Sequence, residues 1–147
     1  MIGTDEDGFG EEPQRGFAVN QSLDAYTEVH AFVLLSYGYR CALTGAQFGP
    51  PELHLHGDLD VVAIKPLEKG GALSISNCLP LLTSLRRPFM EGLIAVEDNY
   101  HILVPHPDLL DPAMVAALQP YLVVPDDVLL RPSPENLAHH RRFALGG

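Results

Sequence analysis

Asp60 to Leu93 reads DVVAIKPLEKGGALSISNCLPLLTSLRRPFMEGL, and this stretch decides the fold. It opens on Val61-Val62-x-Ile64, a β-branched run of the kind that favours strands. A loop follows, punctuated by Lys65-Pro66 and Gly70-Gly71. Asn77 then opens an apolar segment of helical period, which predicts a helix from Asn77 to about Met90. Pro80 must lie in its first turn, and Pro88 must kink or end it, because proline has no N–H to donate. Phe89 and Gly92-Leu93 close the segment.

Upstream, Ser22 is a plausible N-cap, and Leu23, Tyr26, Val29, Phe32, Val33 and Leu35 recur near helical period. They predict a helix from Ser22 to Ser36, closed at Tyr37-Gly38 by a left-handed glycine. Tyr39–Leu43 reads as a short strand stopped by Thr44-Gly45, and residues 47–57 as a loop before the strand Leu59–Ile64. Downstream, Ile94–Val96 and His101–Val104 flank Asp98-Asn99 as a β-hairpin. Pro112–Leu118 predicts a short helix, and Ser133-Pro134-Glu135 opens a last one reaching about Leu145. The class is therefore α+β: one domain over residues 17–147, preceded by a flexible acidic tail over residues 1–16.

Composition narrows the function. A chain of 147 residues can bury one core, and no stretch approaches the roughly 20 apolar residues that span a bilayer. The acidic N-terminus lacks the basic and apolar regions of a signal peptide, so a cytoplasmic location is expected. Cys41 and Cys78 stand alone among apolar residues and read as buried thiols rather than zinc ligands. A net charge of −10 works against nucleic-acid binding, which draws on phosphate neutralisation by Lys and Arg. The clustered tail acids (Asp5, Glu6, Asp7, Glu11, Glu12) read as a solvated run.

The order helix, YGYRCALTG, strand, IKPLEKGG, SNCLPLLTSLRRPFMEGLI and hairpin resembles the HNH endonuclease family, and its bacterial restriction-endonuclease branch without zinc-binding cysteines in particular. The resemblance runs from about Ala25 to Val104, and the closing PSPENLAHHRRF looks like that branch's C-terminal segment. It implies an HNH-like ββα element. It also implies a strand-ending His as general base, a metal-holding neighbour, a bracing Asn and a helix His on the metal. Those places fall on Ala63, Val62, Asn77 and Arg86. Only the Asn is kept, since neither Ala nor Val binds a proton or metal and a guanidinium has no lone pair to give. The first helix departs as well: LDAYTEVHAFVLLS carries no Lys or Arg, where the active branch tends to carry Arg.

The resemblance so read implies a degenerate relative without metal-dependent cleavage and without a cofactor, acting as a binding or regulatory module for nucleic acid or a related nuclease protein. Lys65, Lys69, Arg86 and Arg87 could grip a phosphate where the metal site stood. Alternatively, Arg86 pairs with a local carboxylate such as Glu91 or Glu68 and merely fills the place. A working endonuclease with relocated ligands is a second reading. His54 and His56 share a face if extended, and with Asp58 or Asp60 they could hold magnesium or zinc. His139-His140 is a weaker pair, because neighbours on a helix point about 100° apart. A homo-oligomer joined through Tyr121–Val124 and Val128–Leu130 is the third.

Overall fold

The computed structural model describes residues 14–52 and 55–146. Its architecture is α+β. A long helix α1 (Gln14–Ser36) precedes an antiparallel pair, β1 (Leu59–Ala63) and β2 (Cys78–Leu82), and helix α2 (Thr83–Met90). A short hairpin, β3 (Ala95–Val96) with β4 (Ile102–Leu103), leads to α3 (Pro112–Ala117) and α4 (Pro134–Ala144). Val33 and Leu34 of α1 and Tyr37 just after it join Leu79 and Leu81 of β2, Leu85 and Phe89 of α2, and Leu137 of α4 in one core. No helix among the described residues is long and apolar enough to cross a membrane.

The decisive stretch is ββα, and the helix predicted from Asn77 is a strand before it is a helix. Cys78–Leu82 pairs with β1 in the register Leu59↔Leu82 through Ala63↔Cys78. Pro80 explains how a proline sits in a strand. Its carbonyl accepts from the Ala42 N–H, away from β1, so its missing N–H faces that same side and leaves the β1–β2 ladder intact. Two residues on, the Leu82 N–H also faces outward and meets the Cys41 sulfur at 3.4 Å. Both cysteines are buried and unpaired.

α2 then runs through Pro88 to Met90 and ends in a Schellman turn. Leu93 N–H bonds Pro88 O, Gly92 N–H bonds Phe89 O, and Gly92 takes φ +81°. A Cβ there would lie 2.9 Å from the Ala144 Cα, so the same glycine lets α4 approach. α1 ends the same way at Gly38, as its sequence predicts.

Three local expectations change. α1 begins at Gln14 rather than at a cap on Ser22, since nothing after Gly16 breaks helical propensity. The part of the expected tail over residues 1–13 lies outside the described residues. Tyr39–Leu43 is no strand: the Thr44-Gly45 turn comes so soon that only a bridge between Arg40 and Gln47 forms. Of Tyr121–Val124, Tyr121 stays more than half exposed at 53% while the other three pack inward. Leu122 is buried, and the Leu122 and Val123 N–H groups bond Tyr100 O and Ala42 O, while Val128 and Leu129 stay exposed.

Asn77 closes the loop between the two strands. Its Oδ1 accepts from Lys65 N–H at 2.8 Å, and its Nδ2 donates to Lys65 O at 2.9 Å and to Ala72 O at 2.8 Å. Its backbone carbonyl takes the Ile64 N–H, extending the ladder past Ala63. Gly71 is required by this closure, because a Cβ at that place would overlap Lys65 O. Asn77→Ala strands one donor and two acceptors, each worth about 1–3 kcal/mol when buried and unpaired. The variant is expected to lose about 2–4 kcal/mol of unfolding free energy. A urea midpoint within experimental error of the wild type would show that the brace is dispensable.

Candidate functional site

The brace fixes the loop at the end of β1, beside α2, and α4 packs across the opening. Between them lies a cleft of about 660 Å³. Ala63, from the end of β1, and Arg86, from the middle of α2, both line it. The two positions singled out in the sequence therefore face one cavity.

Arg86 does not pair with Glu91 or Glu68. Its Nη1 lies 3.7 Å from Asp60 Oδ2 on β1, with the guanidinium about half exposed. A pair this long and this wet contributes little to stability, on the order of 0–1 kcal/mol. Glu91 instead holds Arg87 at 3.0 Å, one helical turn away on an exposed face. Neither Arg87 nor Lys65 is among the cleft's lining residues, so the cation group contemplated from sequence keeps only Arg86 and Lys69 there.

α4 supplies what the sequence left unassigned. His139, His140 and Arg142 all line the cleft, joined by Lys69 from the loop after β1. Slight burial and the nearby Lys65, Arg142 and Lys69 charges push His139 below the ordinary imidazole range. Lys69 and Arg142 have no carboxylate within ion-pair distance among the described residues. Glu68 is the one acidic side chain lining the cleft among them.

His140 is of another kind. It is buried, stacks on Phe89 with ring centroids 4.0 Å apart, and donates from Nε2 to the Phe89 carbonyl at 2.7 Å. Burial lowers its pKa, opposed by that carbonyl contact and reinforced by His139. Arg141, next along, reaches away to Asp98 Oδ1 and Val96 O, both at 2.9 Å, and ties α4 to the hairpin. Two neighbouring residues thus fix the helix, and His139 and Arg142 are left toward the cleft. Leu137 and His140, three apart on one helix face, were the available signal for this packing. Nothing in the sequence alone said what the face would meet.

Cys78 lines the cleft as a protonated thiol, since burial raises its pKa to about 11 against the opposing effect of a Ser74 backbone contact. Tyr26 of α1 lines it too.

The relocated ligand set fares differently. His54 lies outside the described residues. His56 has both ring nitrogens engaged: Nδ1 accepts from Asp58 and Leu59 N–H, so Nε2 carries the proton and donates to Gly49 O at 2.9 Å. Its own N–H reaches the buried His30 Nε2 at 3.2 Å. Asp60 faces Arg86. Among the described residues no three His, Cys, Asp or Glu side chains converge as a metal-binding group.

No protein-family model matches the chain, and no curated protein matches it. A solved structure described as a modification-dependent TagI restriction endonuclease does match, with a TM-score of 0.58 and 20% sequence identity. The match covers 78% of this chain and 36% of that one, so this chain spans about a third of its length. At this identity the likeness is one of fold.

The buried histidines set a pH dependence. His140 and His30 have pKa values lowered by burial, so near and below the unfolded value of about 6.5 the unfolded chain binds more protons than the folded one. Their contribution is complete above that pH and is lost as the pH falls toward their folded values. Urea midpoints should drop between pH 7.5 and 5. His140→Phe, less stable at pH 7.5 because it loses the bond to the Phe89 carbonyl, should show a shallower drop. Parallel pH profiles for the two proteins would refute a role for His140.

Proposed function

We propose that this chain is a degenerate relative of the HNH endonucleases that has given up metal-dependent phosphodiester cleavage and works as a binding or regulatory module. The observation that carries this reading is the pair Ala63 and Arg86 facing one cleft, on the strand end and helix of a ββα unit. Hydrolysis of that type needs a proton acceptor beside the attacking water and lone pairs on the metal. A methyl group supplies neither. A guanidinium supplies no lone pair, and its positive charge repels a divalent ion placed beside it. A metal does not fit these residues.

What remains suits binding. Lys69, Arg86, His139 and Arg142 border an apolar cleft, and Lys65 stands near them. A nucleic acid and a related nuclease protein are the two partners that the resemblance implies. The first would use the cationic border against phosphate. The engagement of both His56 nitrogens weighs against a relocated metal site there.

The purified chain should leave supercoiled plasmid intact in magnesium, manganese or zinc. Ala63→His combined with Arg86→His should bind manganese or zinc measurably by calorimetry, where the unaltered chain does not. Metal-dependent cutting by the unaltered chain would end this proposal.

A further inference from the structure

The cleft has two chemically distinct parts. Its walls are apolar, built by Ala63 and Ile64 at the end of β1, Leu73 in the loop, and Phe89 and Met90 on α2. Phe143 and Met90 remain more than half exposed at 60% and 51%, so apolar surface continues to the mouth. Its border is cationic, with Lys69, Arg86 and Arg142 beside His139. In a chain with 19 acidic and 9 basic residues, three cations and one carboxylate on a single cleft reverse the general balance. Two of those cations have no ion-pair partner among the described residues, and the third holds its partner at 3.7 Å.

From this geometry we infer that the cleft binds a small amphiphilic anion: an apolar chain or ring with one carboxylate or phosphate head. The body lies along Ala63, Leu73 and Phe89, and the head meets Arg86 and Arg142. The inference rests on the reading of this cleft as a binding site without a metal. The volume of about 660 Å³ falls in the range of small-molecule sites, roughly 300–1,000 Å³. A bare inorganic anion would leave the apolar walls wet, and an uncharged lipid would leave the cations unpaired. A nucleobase would ask for polar partners along its edge. Away from the border, Tyr26, Cys78 and His140 are the polar side chains on the lining, and the His140 Nε2 is committed to the Phe89 carbonyl.

The full chain can be titrated calorimetrically with dodecanoate below its micellar concentration, beside dodecyl phosphate, dodecanol and dodecyltrimethylammonium. Both anions should bind one to one and at least roughly tenfold tighter than the alcohol or the cation, as one charge-assisted contact supplies. Shortening dodecanoate to decanoate should weaken binding by roughly fourfold per methylene. Arg142→Gln and Lys69→Gln, at exposed positions without ion pairs, should each weaken the anions severalfold and leave dodecanol unchanged. Ala63→Leu, which narrows the cleft where the ligand body lies, should weaken all four ligands.

Equal affinity for dodecanol, indifference to both charge substitutions, or no binding of either anion would overturn the inference. So would binding of a duplex oligonucleotide, with a steep salt dependence, where dodecanoate does not bind. Plasmid cutting by the same preparation in manganese would instead defeat the non-catalytic reading beneath it. Failure of dodecanoate to bind without any cutting defeats the ligand class alone.

Discussion

The amide of Asn77 is the constraint on which the rest of this structure depends. One side chain bonds both backbone groups of Lys65 and the carbonyl of Ala72, and its own carbonyl takes the Ile64 N–H. The loop between the strands is thereby pulled onto the end of β1. β2 starts at the next residue in register with β1, and α2 starts where β2 stops. The wall of the cleft that Ala63 and Ile64 provide is consequently a rigid strand end rather than a loop. None of this requires catalysis. An asparagine that braces backbone in this way serves folding by itself.

The second constraint is the seating of α4. Arg141 binds the hairpin and His140 binds the end of α2, so the helix is held from two directions by adjacent residues. Gly92 makes the approach possible, since a side chain there would meet the α4 backbone. Without α4 the region around Ala63 and Arg86 would be an open face with two cations. With it, that region becomes a cleft whose far side carries His139 and Arg142.

The frame was legible in the sequence because it is written in local chemistry. The β-branched run, the Gly-Gly loop, the helix-ending glycines and the Ser133-Pro134 start each act within a few residues. The misreadings came where a distant segment decided. Cys78–Leu82 has the apolar content of either a helix or a strand, and β1 and Ala42 beside it settle the matter. Arg86 had Glu68 and Glu91 as local partners by sequence, and the packing of β1 against α2 supplies Asp60 instead. For the site, Ala63, Arg86 and Lys69 were visible as candidates. His139 was visible only as half of a weak metal pair with His140, and Arg142 was not visible as a site residue, because their place in the cleft depends on where a helix more than forty residues downstream docks.

The charge distribution links these constraints to function. At physiological ionic strength a surface charge is felt over about 8 Å, so a ligand senses its immediate surroundings and little beyond. A long polyanion laid over the cleft would meet the few cations at its border and then run onto the acidic surface of a chain with a net charge of −10. A small anion whose body enters the cleft meets only the border. The same arrangement therefore penalises extended phosphate chains and favours a compact anionic head with an apolar body. Arg86 sharpens that preference. A guanidinium at the mouth of an apolar cleft offers a fixed, planar anion contact at any working pH, where a bound divalent ion would offer coordination sites and a reactive water.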